Sequence, residues 1–162
     1  MGEFKKGQQV IHCRDGLAVI VDETEIAGNG YFIVKTARGG GENIYVPIDR
    51  AGVIVRPLMN EKEADELVEF MKSVSVEFNS NTKQRRDSLK RKLSSGNVHD
   101  IADLFKQYYF YKTSNDGSVR FGPVDLDMLC YARDMLLDEL TITYNQPREH
   151  IAQYVEQRMT TL

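Results

Sequence analysis

A basic cluster near the middle of the chain is the pattern best suited to bind a ligand. It places six cations around one carboxylate, Asp87. The cations are Lys83, Arg85, Arg86, Lys90, Arg91 and Lys92. A helix that only faces solvent usually mixes the two signs of charge more evenly. Cations gathered on one helix can neutralise successive phosphates of a nucleic acid backbone.

The spacing within the cluster predicts a helix over residues 83–93 with two distinct faces. On a helical projection Leu89 and Leu93 mark the buried side. The remaining surface carries Lys83, Arg86, Lys90 and Arg91. Four phosphate contacts predict a slope of about -3.6 in a plot of log affinity against log salt. The alternative hypothesis is a solvated helix whose charges meet only water and neighbouring acids.

Residues that support catalysis or metal binding do not form a recognisable pattern. The histidines His12, His99 and His150 have no spacing typical of shared metal ligation. Cys13 and Cys130 lie in different halves of the chain and do not suggest a disulfide framework or a zinc site. No pair of side chains nominates a general acid and base. We therefore expect a non-enzymatic protein without a metal or another cofactor.

Two further patterns resemble ligand-binding motifs. The glycines at 39–41 lack a following Gly-Lys-Ser/Thr and have strand-like flanks, so a hairpin turn is favoured over a phosphate-binding loop. The aromatic residues at 108–111 can offer stacking faces to unpaired bases. Tyr108, however, continues the helical spacing of Ile101, Leu104 and Phe105, which favours a mainly buried cluster.

Bulk composition limits the class of protein. The chain has 162 residues, of which 41% are hydrophobic and 28% charged, a composition typical of a globular protein. Its net charge of -3 argues against a surface that binds nucleic acid everywhere, so such binding needs a local patch. The N-terminal sequence does not resemble a signal peptide, and no apolar run is long enough to span a bilayer. We expect a cytoplasmic protein with no membrane partner.

The first third of the chain predicts a small β module. Between residues 8 and 56, short runs rich in Val, Ile, Tyr and Phe alternate with turn-forming sequences such as residues 28–30. Five strands fit this pattern. Closely spaced strands joined by tight turns usually close into a barrel, since closure removes exposed edges. We predict an SH3-like or Tudor-like barrel over residues 1–58.

Residues 59–162 predict an all-α bundle. Asn60 and Glu63 have the spacing of a capping box at a helix start. The following apolar stripe is Ala64, Leu67, Val68 and Met71. Residues 94–96 predict the end of the basic helix, and Asn97 the start of the next one. Pro147 suits the first turn of a last helix.

Several short motifs follow one another in an order that resembles one protein family. The first module carries Phe4-x-x-Gly7, Val10-Ile11, a strand at 31–35 and Tyr45-Val46-Pro47. The second carries Leu89-x-x-x-Leu93-Ser94-Ser95-Gly96-Asn97, Ile101-Ala102-Asp103-Leu104 and Ala132-x-x-x-Leu136-x-x-Glu139-Leu140. Together they resemble the bacterial CarD and CdnL family of RNA polymerase-binding transcription regulators.

The resemblance implies a two-part function. It implies that the barrel pairs strand to strand with the β subunit of RNA polymerase, which we expect at Glu25, Ile26, Tyr45 and Pro47. It also implies that the helical module reaches promoter DNA and modulates the stability of the open complex. The expected contacts to the DNA backbone, without sequence specificity, are Lys83, Arg85, Arg86, Lys90 and Arg91. We expect a monomer.

Two positions depart from the family pattern. Well-studied members carry an arginine where this chain has Tyr45, and a tryptophan that wedges at the fork where it has Thr82. The chain contains no tryptophan, so phosphate contact is expected rather than wedging. The alternative function is that of a protein-interaction adaptor, in which the barrel binds another partner and the helical module does not contact DNA.

Overall fold

A computed structural model describes residues 4–38, 41–114 and 117–160. The chain divides into two compact units, Met1–Leu58 and Met59–Leu162. The first is built on strands and the second on helices, so the predicted order of a β module followed by a helical module is confirmed. Within the described residues, no helix is both long and apolar enough to cross a membrane.

The first unit contains one antiparallel sheet. Its strands are β1 (Gln9–His12), β2 (Gly16–Ile26), β3 (Asn29–Thr36), β4 (Ile44–Pro47) and β5 (Val55–Pro57). They lie in the order β4-β3-β2-β1-β5. The five predicted strands are therefore present. The pairings among the described strands do not join β4 to β5, so the predicted barrel closure stays a prediction.

The core of this unit is formed by side chains from alternate positions of the strands, which point to the same face of the sheet. In β3, Phe32 and Val34 are buried, whereas Tyr31 and Ile33, which alternate with them, are only half-buried. The buried residues that pack together are Val10, Ala18, Ile20, Phe32, Val34, Val46, Ala51 and Val55. A register shift between Ile20 and Asp22 marks a bulge in β2. The long strand thus pairs with β3 on both sides of an irregularity, which increases the local twist.

The turn between β2 and β3 differs from the predicted one. Residues 28–30 were expected to form the turn, but Asn29 and Gly30 already pair with β2. The turn is made by Ala27 and Gly28, both with positive φ, at 51° and 83°. Positive φ at both central residues matches the right-handed twist of a two-residue hairpin. The predicted glycine turn at 39–41 includes residues 39 and 40, which lie outside the described residues.

A short helical segment leads from β4 back to the sheet. A 3₁₀ turn, Ile48–Arg50, continues into α1, Ala51–Ile54. Ala51 joins the core, and Val53 is 75% exposed. β5 then pairs with β1 and forms the second edge of the sheet.

The described part of the second unit contains five helices. They are α2 (Glu61–Ser73), α3 (Thr82–Ser94), α4 (Val98–Ser114), α5 (Pro123–Tyr144) and α6 (Arg148–Thr160). The predicted capping box is confirmed: Asn60 accepts from Glu63 N, and Asn60 N donates to the Glu63 carboxylate. Gly96, with φ of 74°, follows the basic helix, and Pro147 immediately precedes α6.

Apolar stripes of these helices form one core. The predicted stripe of α2 is buried, as are Ile101, Leu104 and Phe105 of α4. The chain enters this unit at Met59, whose backbone is held on both sides by α5. Met59 N donates to Glu139 Oε2 at 2.7 Å, and Thr143 Oγ1 donates to Met59 O at 2.9 Å. These bonds fix the start of the unit to its longest helix.

A buried histidine stabilises the turn between β1 and β2. The Nδ1 atom of His12 accepts from Arg14 N and from Asp15 N, each at 3.3 Å. This arrangement requires an unprotonated Nδ1. Desolvation lowers the pKa of His12 below its ordinary value of 6.5, outweighing the opposite effect of the nearby Asp15 carboxylate.

The pKa of His12 predicts a loss of stability in acid. The unfolded chain binds the proton more readily than the folded one, so stability that is present above pH 6.5 is lost as the pH falls toward the folded pKa. We expect the opening free energy of the Arg14 and Asp15 amides, from hydrogen exchange corrected for intrinsic rates, to decrease over this window. His12→Gln should reduce that pH dependence. An equal decrease in the variant would contradict the assignment to His12.

Candidate functional site

The basic helix α3 has clear start and stop signals. Asn81 precedes it and accepts from Gln84 N at 2.9 Å, which satisfies one of the free amides of the first turn. Its first turn contains no acidic residue, and Arg91 and Lys92 lie in its last turn, where cations interact favourably with the helix dipole. The helix therefore presents a high density of cations on a well-defined scaffold.

The position of Arg85 contradicts the prediction that this side chain contacts DNA. Its side chain is only 5% exposed. Nε donates to Asp125 Oδ2 at 3.2 Å, Nη1 to Asn79 O at 2.8 Å and Nη2 to Arg120 O at 3.1 Å. The guanidinium also lies 4.8 Å from the ring centroid of Phe121. Each of its three nitrogens donates a hydrogen bond inside the unit and the side chain is buried, so Arg85 is not placed to contact a phosphate.

Arg86 shares the same carboxylate from the surface side. Its Nε donates to Asp125 Oδ1 at 3.1 Å, and its side chain is 36% exposed. Asp125, in the first turn of α5, is completely buried. One buried carboxylate therefore holds two successive arginines of α3, the first enclosed and the second half-open to solvent.

The other four cations divide into one paired and three free side chains. Lys92 forms an ion pair with Asp103 of α4. Lys83, Lys90 and Arg91 are exposed and make no ion pair with any described residue. Lys83 and Lys90 are two helical turns apart, so they lie on one side of α3 about 10.5 Å apart along its axis. This side of the helix offers cationic groups to an external anion.

The aromatic cluster at 108–111 contributes to packing. Tyr108, Tyr109 and Tyr111 are partly buried against the helical core, which agrees with the core interpretation. Tyr111 stacks on Phe121 with ring centroids 4.3 Å apart, and its hydroxyl accepts from Phe121 N at 3.0 Å. Burial raises the pKa of the Tyr108 hydroxyl above its ordinary value. These contacts tie α4 to the segment that also holds Arg85.

The residues predicted to bind polymerase lie around one edge of the first unit. Tyr45, 48% exposed, belongs to the edge strand β4. Pro47, two residues further, pairs opposite Tyr31 of β3. Glu25 and the 48% exposed Ile26 end β2 beside the turn. Among the described strands β4 pairs with β3 alone, which makes β4 an edge of the sheet.

A groove lies beside this edge. It has a volume of about 580 Å³ and is lined by the β2–β3 turn, Tyr31, Pro47 and the 3₁₀ turn. Within its lining, Ile48 lies so close to Gly30 that a Cβ atom on Gly30 would be 3.0 Å from Ile48 Cδ1. Elsewhere in the described ranges, no group of three or more His, Cys, Asp or Glu side chains could hold a metal ion.

The Arg85–Asp125 contact predicts a large stability effect. Asp125→Ala should lower the free energy of unfolding of the full chain by about 3 to 5 kcal/mol, because it leaves Arg85 buried without its counter-charge. Urea denaturation followed by circular dichroism measures the change. Asp127→Ala on the exposed side of α5 is the control and should cost less than about 1 kcal/mol. Equal losses in both variants would show that the buried carboxylate does not anchor α3.

Comparison with known protein families matches the helical unit. The model of the CarD C-terminal domain matches residues 66–156, more than half of the 162 residues. The match spans α3, α4 and α5 completely, together with most of α2 and α6. It therefore includes the basic helix and both partners of its buried ion pair, and the chain belongs to the CarD family.

Proposed function

We propose that this protein is a non-enzymatic, cytoplasmic transcription regulator that binds the β subunit of RNA polymerase and the backbone of promoter DNA. In this proposal the edge strand β4 pairs with a strand of the polymerase, and α3 contacts phosphates through Lys83, Arg86, Lys90 and Arg91. The result is a change in the lifetime of the open complex. Membership of the CarD family supports a role in transcription.

The free cationic side of α3 is the observation that carries the DNA part. Lys83, Lys90 and Arg91 have no ion pair among the described residues to give up when they bind a phosphate. The contacts are to phosphates, which position a protein on DNA without reading its sequence. Thr82, the exposed first residue of α3, lacks the large apolar side chain that wedges between bases.

In this proposal, binding to RNA polymerase compensates for the small number of phosphate contacts. Few cations give weak, salt-sensitive binding to DNA. A protein held on polymerase, however, reaches nearby DNA at a high effective concentration, so a weak patch becomes sufficient. An edge strand provides main-chain hydrogen bonds for such a tether, and exposed side chains such as Tyr45 provide specificity.

The alternative is an adaptor that does not contact DNA. It is favoured by one observation: Arg85, Arg86 and Lys92 each use at least part of their hydrogen-bonding capacity inside the helical unit. The surface charge of α3 is therefore lower than its sequence indicates. The two functions differ in their response to loss of charge on α3, since the adaptor should retain all its binding activity.

Tyr45 tests the polymerase contact. Tyr45→Ala should weaken co-purification of the full chain with its cognate RNA polymerase by at least about tenfold, as expected for a central aromatic residue of an interface. Val53→Ala removes a more exposed apolar side chain of the same unit and should have little effect. Failure of the wild type to bind would reject the polymerase partner. Equal binding by both variants would place the contact elsewhere.

Lys90 tests the DNA contact. Lys90→Gln should change the salt slope for duplex binding from about -3.6 to about -2.7, because one phosphate contact is lost. Fluorescence anisotropy over a salt series measures the slope. Lys62→Gln, an exposed lysine on α2, serves as the charge-matched control and should keep the original slope. Duplex binding and open-complex lifetime that are the same in wild type and Lys90→Gln would favour the adaptor.

A further inference from the structure

Arg86 differs from the other cations that α3 offers to solvent. Lys83, Lys90 and Arg91 are exposed, and no ion pair to a described residue fixes them. Arg86 is 36% exposed and held at one nitrogen by a buried carboxylate. A side chain with many rotamers loses conformational entropy when a ligand fixes it. Arg86 has already lost part of that freedom within the folded unit.

Because only Nε of Arg86 is bonded to Asp125, the outer end of the guanidinium can bind a ligand. Asp125 accepts from Nε of Arg86, and neither Nη1 nor Nη2 of Arg86 bonds to any described residue. These two nitrogens carry parallel N–H donors that match two oxygens of a phosphate. Gly122 lies beside this end, and a Cβ atom there would be at an ordinary contact distance of 3.9 Å from Nη2.

The charge balance also permits an external anion. Asp125 contributes one negative charge, and Arg85 and Arg86 contribute two positive charges. Arg85 is enclosed and faces Asp125 through Oδ2, so the buried carboxylate is compensated from the inside. The trio keeps one net positive charge. Of its two guanidiniums, the one open to solvent is that of Arg86.

From this geometry we infer that Asp125 is a positioning residue that orients Arg86 as a two-donor ligand for a single DNA phosphate. The inference rests on the proposed function. It assigns unequal roles to the cations of α3. Arg86 binds through the geometry of its guanidinium, whereas Lys83, Lys90 and Arg91 act as mobile charges. A lysine cannot replace an arginine in the first role, because its single ammonium lacks the planar pair of donors.

Charge-conserving substitutions test the inference. Arg86→Lys should lower the affinity of the full chain for a fluorescein-labelled DNA duplex by about fivefold, since the ammonium turns toward Asp125 and two charge-assisted bonds are lost. The salt slope should change less than in Lys90→Gln. Arg91→Lys, on the same helix, should lower the affinity by less than Arg86→Lys does, because a mobile charge is conserved when arginine becomes lysine. Equal affinities for the two variants would overturn the inference.

A double-mutant cycle tests the role of Asp125. Asp125→Asn should weaken duplex binding in the wild-type background but not in the Arg86→Lys background, because the role in binding assigned to Asp125 is to orient Arg86. An equal loss in both backgrounds would contradict positioning, and melting curves identify losses caused by unfolding. The comparison of Arg86→Lys with Arg91→Lys decides the inference even where Asp125→Asn lowers stability. Absence of salt-dependent binding by the wild type would instead reject the proposed function itself.

Discussion

A carboxylate enclosed by protein requires cationic donors, because desolvation of an isolated charge costs far more than a folded domain has to spare. Asp125 meets this requirement with two arginines that follow one another on α3. Successive residues on a helix point about 100° apart, so both can reach one carboxylate only in a narrow range of helix orientations. The ion pair therefore sets how the basic helix is rotated against α5. That rotation decides which cations face solvent.

Helix ends and strand number were predictable because they depend on local chemistry. Asn60 and Glu63 bond each other across one turn, and this spacing is visible in the sequence. The two-faced pattern of α3 correctly assigned Leu89 to the buried side. The turn after β2 was displaced by one residue because Ala27 adopts a positive φ, which residue type alone does not favour.

The interior position of Arg85 was not predictable from periodicity. Arginine is rarely buried unless paired, so a basic run is normally assigned to the surface. The partner, Asp125, lies 40 residues away in sequence, and nothing local links the two. One signal was present: Asp125 occupies the first turn of an apolar helix in which Leu129 and Ala132 mark the buried face. Barrel closure is likewise a long-range property, since it depends on whether β4 and β5 meet.

The bonds at Met59 show that the folded helical unit begins earlier in the chain than the segment matched by the family model. The family match begins at residue 66, within the second turn of α2. A helical fragment cut at that point would lose the capping box at Asn60 and the amide that Met59 donates to Glu139. It would also lose Ala64 from its core. A fragment intended to fold by itself must therefore begin several residues before the similarity does, at or ahead of Met59.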